Sequence, residues 1–414
     1  MSPGPAAGIP LYLSKPGLVC CAGADYRTFF EAALRGDQGG IVPVTVNPVN
    51  GGSGGPARTF LVGRAETGAP AETRLWGLCR AALEQVQPAV ERAFSAWGPD
   101  RVGLCLGSCD NGTEFSLPAH GTFFAAGAFP PGYELSLQGA AGPAEYAARF
   151  LGLGGPVLAL ATACASSATA LIRGAELIRG GVCDAVVAGG VDIASPTVLF
   201  GFAALETVSP ERCNPFSKNR RGINLGEGAA FFVLSREKPE GPVITLAGYG
   251  ESADAHHMTS PHPAGTGAAG AMEKALAMAA LEAGDIGYVN LHGTGTPLND
   301  RAEAAAMAAV FGGARPAVSS TKPLTGHTLG AAGALELALC WGALETGGIP
   351  VHRWDGVQDE DLPAQLRWAV PRAEPPGPAA LASTAKIRYC MSNSFAFGGC
   401  NVSLILGGEE EPET

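Results

Sequence analysis

Two distant segments of the chain share one layout, and this internal repetition constrains the fold more than any other feature. In the first segment, residues 156–162 form an apolar run, Cys164 lies at a turn, and an Ala-rich stretch follows. In the second, residues 317–322 form the run, His327 lies at the turn, and another Ala-rich stretch follows. Short apolar runs predict buried strands, whereas the long Ala-rich stretches predict helices. The repetition therefore predicts a duplicated α/β architecture.

The same patterns continue along the chain, so strands and helices alternate and predict α/β layering around a mixed or parallel sheet. The predicted strands are Val102–Cys105, Val157–Ala161, Ala185–Ala188, Val289–Leu291 and Val318–Ser320. The predicted helices are Ala165–Arg179, Ala271–Ala283, Ala302–Phe311 and Leu329–Glu345. A charged break containing Pro and Gly at 237–241 predicts the boundary between an N-terminal half, 1–240, and a C-terminal half, 241–414.

Composition and charge exclude several classes of protein. Apolar residues make up 46% of the 414 residues and charged residues only 16%, which suits a large core. The net charge of −11 disfavours general nucleic-acid binding. No apolar run reaches the roughly 18 residues of a membrane span. The eleven cysteines contain no CxxC pair, and the N-terminus lacks a secretory signal pattern. We therefore expect free thiols, no metal site and a reducing, cytoplasmic compartment.

The strongest local motif is TACASS at 162–167, which places Cys164 between a strand and a helix. A tight strand-to-helix turn projects a reactive side chain, as in a nucleophile elbow. The end of the following helix favours the thiolate, so we expect a lowered pKa for the Cys164 thiol. Neighbouring backbone N–H groups there could face an oxyanion. The alternative interpretation is a buried core thiol, as expected for the other ten cysteines.

A second motif, HGTGTP at 292–297, begins with His292 at the end of a predicted strand. A single histidine at a strand end is more often structural. The polar, glycine-rich loop that follows favours a functional role, and its Thr294 and Thr296 supply hydroxyl groups at alternate positions.

A third motif, STKPLTGH at 320–327, places Lys322 at the end of a predicted strand and His327 at the start of a helix. The positive end of that helix favours a neutral His327 imidazole, which can donate a hydrogen bond to a developing oxyanion. Glu303 is a plausible partner for Lys322, the alternative being an exposed helix acid. One thiol with two histidines favours attack on a thioester followed by stabilisation of an enolate.

A fourth motif, SNSFAFGG at 392–399, combines two aromatic residues, Phe395 and Phe397, with a Gly pair. Such a segment predicts a movable aromatic wall beside backbone N–H groups. A turn at the edge of the core is the alternative.

Together these motifs resemble the β-ketoacyl-acyl-carrier-protein synthases, which are condensing enzymes of the thiolase superfamily. The resemblance covers roughly residues 150–405, and the motifs occur in the family's order. Besides the four above it rests on two further segments, PFSKNRRGINLGEGAA at 215–230 and DAHHMTSP at 254–261.

The resemblance implies a thiolase-like, five-layered αβαβα fold with two duplicated halves, the first holding the nucleophile and the dimer contacts, the second both histidines and the gating loop. It implies decarboxylative Claisen condensation, in which Cys164 carries the acyl group and the N–H groups of Cys164 and Phe397 form the oxyanion hole. His292 and His327 would hold the malonyl thioester carbonyl, and Lys322, paired with Glu303, would set the local field.

The resemblance also implies how substrates and partners bind. Phe397 would gate the passage between the acyl pocket and the malonyl site, and Phe202 would line the acyl pocket. Thr294 and Thr296 would touch the pantetheine arm, and Phe395 would also belong to the substrate-binding residues. The implied partners are an acidic acyl carrier protein and a second subunit, either an identical chain or a chain-length factor. No cofactor is implied beyond the phosphopantetheine that the carrier protein bears. The expected basic docking patch is Arg74, Arg80, Arg212, Lys218, Arg220 and Arg221.

Three departures from the family pattern bear on the pathway. Ala396 stands where Gly is more usual, residues 209–216 are fewer than in the main elongation enzymes, and Asn-Arg-Arg at 219–221 replaces a usual Asp-Arg-Asp. These departures leave fatty-acid, aryl-polyene and polyketide-type elongation open. Two other functions also stay open, a thiolase-type acyl-CoA transferase with Cys400 as its second thiol, and a non-catalytic chain-length partner.

Overall fold

The computed structural model describes residues 9–48, 56–66, 73–110, 112–239, 241–363, 366–369 and 387–409. The strands are β1 Tyr12–Leu13, β2 Gly17–Cys20, β3 Ile41–Val46, β4 Arg58–Gly63, β5 Val102–Gly107, β6 Val157–Leu160, β7 Ala185–Asp192, β8 Leu225–Gly226, β9 Gly228–Ser235, β10 Ile244–Ala253, β11 Ile286–Asn290, β12 Ala317–Ser319, β13 Arg367–Trp368, β14 Tyr389–Phe395 and β15 Cys400–Gly408.

The helices alternate with these strands, as the sequence predicts. They are α1 Tyr26–Arg35, α2 Arg74–Trp97, α3 Thr113–Ala126, α4 Gly142–Leu151, α5 Ser166–Arg179, α6 Pro196–Ala204, α7 Thr266–Ala279, α8 Pro297–Phe311, α9 Lys322–Thr325 and α10 Ala332–Thr346. Among the helices in the described ranges, none has both the length and the apolar character that a membrane span requires.

The two halves of the main sheet repeat one topology. In the first half the order is β6-β5-β7-β9-β2, with β5 parallel to β6 and β7, and β9 antiparallel to β7 and β2. In the second half the order is β12-β11-β14-β15-β10 with the same directions at every step. The short β1 pairs with both β9 and β10 and so joins the halves. The predicted duplication is confirmed.

Two central helices lie between the halves of the sheet and explain the layering. Helix α5 packs on β5 and β7, while α10 contacts α5, β11 and β14 as well as β7 and β9. Helix α10 is buried almost along its whole length, as expected for a helix with apolar residues on every side. On the outer faces α2 packs on β2 and β9, and α7 packs on β10 and β15. The five αβαβα layers are therefore present.

The boundary between the halves at 240/241 stays a prediction, and Glu240 lies outside the described residues. The segment before it follows β9 and the segment after it leads into β10. One local prediction was wrong: Lys322 does not end a strand, because β12 stops at Ser319 and Lys322 begins the one-turn helix α9.

Candidate active site

Cys164 lies in a tight turn between β6 and α5. The turn is a short 3-10 segment, residues 163–165, and Ala163 adopts a φ of 49°, which is uncommon for a residue with a side chain. Ser166 Oγ holds this conformation, because it donates to the Ala163 carbonyl at 2.6 Å and accepts from the Thr162 N–H at 2.9 Å. The turn therefore presents the thiol as the predicted elbow would.

The predicted lowering of the Cys164 pKa is wrong in sign. Burial raises the pKa of this thiol to about 12, and it outweighs the opposing effects of the Lys322 ammonium and of a hydrogen bond from the Phe397 N–H. The sulfur lies before the first residue of α5 and is almost fully enclosed, so desolvation of the thiolate dominates. The thiol is therefore neutral at rest. The Phe397 N–H nevertheless points at the sulfur, as an oxyanion donor would.

The rings of His292 and His327 pack edge to face. Their ring centroids are 5.4 Å apart and their planes are nearly perpendicular. Burial and the nearby Lys322 ammonium lower the pKa of both imidazoles well below the usual range, so both are neutral. Nδ1 of His292 and both ring nitrogens of His327 find no hydrogen-bond partner within the described part of the chain. Buried polar atoms are normally paired, so these nitrogens have hydrogen-bonding capacity that the described protein atoms do not use.

Lys322 connects the thiol and the two imidazoles electrostatically. Its Nζ donates to the carbonyl oxygen of His292 and to Oε1 of Glu336 on α10. The predicted pairing of Lys322 with Glu303 is therefore wrong, because Glu336 is the nearer carboxylate and occupies Nζ.

Glu303 has a different role, which is to hold the backbone at His292. Its two carboxylate oxygens accept the N–H groups of His292 and Gly293 at 2.8 and 2.7 Å. Burial raises the pKa of this carboxyl to about 7, while these two N–H donors and Lys322 oppose the rise. Glu303 thus fixes the backbone position of His292.

Aromatic side chains form one wall of the site. The ring of Phe202, on α6, stacks on that of Phe397 with centroids 5.6 Å apart and an interplanar angle of 16°. The Phe395 ring centroid lies 6.2 Å from that of His292. Thr294 and Thr296 share a hydrogen bond between their hydroxyl oxygens, 2.9 Å apart, in the loop after His292. Their contacts with substrate remain predictions.

Two residues of the expected basic patch form ion pairs within the protein. Arg74 forms an ion pair with the buried Glu227, and Arg220 forms one with Asp359, so neither guanidinium is available to a partner. The charges of the other four lie at the surface, although Arg80 contacts Glu84 and Arg221 lies 3.6 Å from Glu211. These four are Arg80, Arg212, Lys218 and Arg221.

Two acids in the site were missed from the sequence. Glu336 lies within the apolar first three turns of α10, and an acid surrounded by apolar residues in a helix signals a buried charge with a partner. Asp192 ends the fully buried strand β7, and its position at the carboxyl end of a central strand was the available signal. Within the described ranges no group of three His, Cys, Asp or Glu side chains is arranged to hold a metal ion.

Comparison with known proteins places this geometry in context. The family model for the β-ketoacyl synthase N-terminal domain matches residues 70–240, and that for the C-terminal domain matches residues 243–353. Nodulation protein E of Rhizobium meliloti is 39% identical over 264 residues, which is 61% of this chain and 62% of that protein. The chain thus spans less than two thirds of this relative.

Longer matches extend the similarity. The 3-oxoacyl-acyl-carrier-protein synthase 2 of Coxiella burnetii is 34% identical over 351 residues, covering 78% of this chain and 81% of that protein. Among solved structures, a chain of the ketosynthase ApeO in complex with its chain length factor ApeC, from Xenorhabdus doucetiae, superposes with a TM-score of 0.83 at 34% identity. That match covers 99% of this chain and 100% of the other.

Proposed function

The chain belongs to the β-ketoacyl synthase family, and from this membership we propose that it condenses an acyl group held on Cys164 with a malonyl group presented by an acyl carrier protein. The observation that supports the proposal best is the position of Lys322. Its charge acts on Cys164, His292 and His327 together, so all three groups lie near one ammonium. A thiol and two neutral imidazoles grouped in this way suit a thioester condensation better than hydrolysis.

In the first half-reaction, the sulfur of Cys164 attacks the carbonyl carbon of an acyl thioester on the phosphopantetheine arm. The N–H groups of Cys164 and Phe397 donate hydrogen bonds to the carbonyl oxygen and stabilise its negative charge. The bond between the acyl carbon and the pantetheine sulfur then breaks, and the departing thiolate takes up the proton that Cys164 lost. Lys322 favours the transient Cys164 thiolate, because its ammonium is the main charge that lowers the pKa of this thiol.

In the second half-reaction, His292 and His327 each donate a hydrogen bond to the thioester carbonyl of the malonyl group. The bond to the malonyl carboxylate breaks, carbon dioxide leaves, and its electron pair forms an enolate on that carbonyl. The enolate carbon attacks the acyl carbon on Cys164, the carbon–sulfur bond breaks, and the Cys164 thiolate takes a proton from solvent to return to the neutral thiol. Both imidazoles are neutral because their pKa values are lowered. A neutral imidazole can still donate a hydrogen bond to the oxygen that becomes negative in the enolate.

The acyl carrier protein is the proposed partner for the surface that bears Arg80, Arg212, Lys218 and Arg221. The chain as a whole is acidic, with a net charge of −11, so attraction of an acidic carrier must come from a local basic region. We place the pantetheine arm beside Thr294 and Thr296, and the acyl chain beside Phe202 and Phe395.

A second ketosynthase-like subunit is also part of the proposal, either an identical chain or a chain-length factor. Helix α3 and the segment after it expose a group of apolar side chains. The exposed fractions are 83% for Phe124 and 77% for Leu135, with Phe123 and Phe129 about half as exposed. Large exposed apolar patches mark protein interfaces. All eleven cysteines are free thiols, which fits the proposed cytoplasmic compartment.

The experiment that tests the function measures both half-reactions in the purified protein. Iodoacetamide should label Cys164, malonyl carrier protein should release carbon dioxide, and the two together with an acyl carrier thioester should yield a β-ketoacyl product. Acyl transfer to free coenzyme A without decarboxylation would indicate the thiolase alternative. Absence of both half-reactions, in the presence of a competent partner chain, would indicate the non-catalytic chain-length role.

The pathway is addressed by a panel of acyl carrier thioesters. We propose a specialised pathway, with aryl or unsaturated primers, because of the departures at Ala396 and at 209–216. Transfer to Cys164 should then favour those primers over saturated chains of medium length. A strong preference for the saturated chains would indicate ordinary fatty-acid elongation.

A further inference from the structure

Asp192, the last residue of β7, forms hydrogen bonds with the loop that follows β5. Its side chain is fully buried, and its Oδ1 accepts hydrogen bonds at 2.9 Å from Ser108 Oγ and from the N–H groups of Cys109 and Asp110. Burial raises the pKa of this carboxyl to about 7, and these donors work against that rise. Asp192 is the acceptor in each of these hydrogen bonds, an arrangement that favours the ionised carboxylate, whereas the nearby Asp110 carboxylate opposes its ionisation.

The other oxygen of the same carboxylate binds the second half of the molecule. The N–H of Gly330 donates to Asp192 Oδ2 at 2.5 Å. Gly330 lies three residues after His327, in the turn that leads into α10. A Cβ atom at position 330 would lie 2.5 Å from Asp192 Oδ2, so the close approach requires glycine there.

On the first side, the contacts continue to the nucleophile. Cys109, whose N–H binds Asp192, donates its thiol to the carbonyl oxygen of Ala163 at 3.2 Å. Ala163 is the residue with positive φ that directly precedes Cys164. One carboxylate therefore connects the turn of Cys164 with the turn of His327.

We propose that Asp192 is a positioning residue that sets the His327 turn against the Cys164 turn, so that the enolate forms within reach of the acyl group. The proposal rests on the condensation proposed above and adds a residue to it. An asparagine at 192 keeps the volume but has only one acceptor oxygen, and its NH₂ group would face an N–H donor. The contact across the two halves would then be lost, whereas Cys164 and the Phe397 N–H would keep their own contacts.

The test compares the two reactions in the Asp192→Asn variant. Acyl transfer to Cys164 is measured in a single turnover by mass spectrometry, and condensation is measured as β-ketoacyl product formed from the pre-acylated enzyme. We expect acyl transfer close to wild type and condensation lower by at least about tenfold, since small displacements of reacting groups cost that much or more. The KM for malonyl carrier protein should not change.

Two further variants separate positioning from general damage. Asp184→Asn changes a buried carboxylate that directly precedes β7, at the opposite end of the strand from Asp192, and that pairs with Arg101 and Arg236. This variant should lower both reactions equally or neither. Gly330→Ala places a methyl group against Asp192 Oδ2 and so disturbs the same contact from the second half of the molecule. It should reproduce the selective loss of condensation. It also keeps the proposal testable if Asp192→Asn does not fold.

Hydrogen exchange gives a measurement that does not depend on activity. The peptide spanning 327–331 should exchange faster in Asp192→Asn than in Asp184→Asn. Equal losses of both reactions, the same selectivity in Asp184→Asn, or unchanged exchange at 327–331 would overturn the role of Asp192. A wild-type protein that forms no β-ketoacyl product would instead overturn the proposed function, while the exchange result would still test the contact.

Discussion

Lys322 and Glu336 form an ion pair in the interior, with Nζ 2.5 Å from Oε1, and both side chains are almost completely buried. Nζ also donates to the carbonyl oxygen of His292, so the pair adjoins the candidate site. Charges in such surroundings are poorly screened, and their fields extend to neighbouring titratable groups. The Cys164 thiol responds to both members, because Lys322 lowers its pKa and Glu336 raises it.

Replacing Glu336 with glutamine should therefore lower the pKa of the Cys164 thiol. We expect faster alkylation of Cys164 by iodoacetamide at neutral pH than in wild type. The change also leaves the buried Lys322 ammonium without its counter-ion, so the free energy of unfolding should fall by about 3–5 kcal/mol. Glu345→Gln, on the same helix but bonded to Tyr26, is the matched control. Slower alkylation in Glu336→Gln would contradict the prediction.

The pH dependence of Cys164 alkylation tests the effect of burial. Because burial raises the thiol pKa to about 12, the thiolate is a small fraction at pH 7 and grows about tenfold with each pH unit above it. The alkylation rate should therefore rise steadily from pH 7 to 9.5, whereas a cysteine in an unstructured peptide begins to level near pH 8.5. The rate is measured by mass spectrometry of the peptide that contains Cys164. A plateau below pH 8 would show a lowered pKa instead.

Much of the fold and the site could be predicted from local patterns. The strand before Cys164 and the strand before His292 are apolar runs, and each is parallel to its neighbour within its own half of the sheet. Polar residues that directly follow such strands are candidates for a site before the tertiary structure is known. This reasoning reaches Cys164, His292 and His327, because each stands directly after a strand or turn with a clear sequence signal.

The partners of charged groups could not be predicted in the same way. Lys322 lies 14 residues from Glu336 and 19 from Glu303, and helical periodicity alone does not decide which helix faces it. Arg74 finds Glu227 at a separation of 153 residues. The predicted direction of the Cys164 pKa shift was wrong for a related reason. The depth at which the Cys164 thiol is buried depends on how the layers pack together, whereas the start of the following helix can be predicted from the sequence.

The stacked pair of Phe202 and Phe397 should control which acyl groups reach Cys164. Phe202→Ala removes a ring contact worth about 0.5–1.5 kcal/mol and should loosen the Phe397 wall. We expect transfer of bulky acyl groups to Cys164 to speed up relative to transfer of short ones. Phe200→Ala is the matched control, since Phe200 lies on the same helix but contacts Phe60. An equal change in both variants would show that α6 was disturbed as a whole.

Arg74 and Arg221 distinguish a buried ion pair from a surface charge. Arg74 shares the fully buried Glu227 carboxylate with Arg64, so Arg74→Ala leaves one guanidinium in place and should lower the free energy of unfolding by about 1–3 kcal/mol. Arg221 is 63% exposed, so Arg221→Ala should leave that quantity within about 0.5 kcal/mol of wild type.

The two arginines should also differ in carrier-protein binding. We expect Arg221→Glu to raise the KM for acyl carrier protein at low salt, with the difference shrinking as salt screens the charge. Denaturant titration measures the stabilities, and initial rates at two salt concentrations measure the KM. A stable Arg74→Ala variant with a raised KM would return Arg74 to the docking patch, because it would mean that the guanidinium serves the carrier protein rather than Glu227.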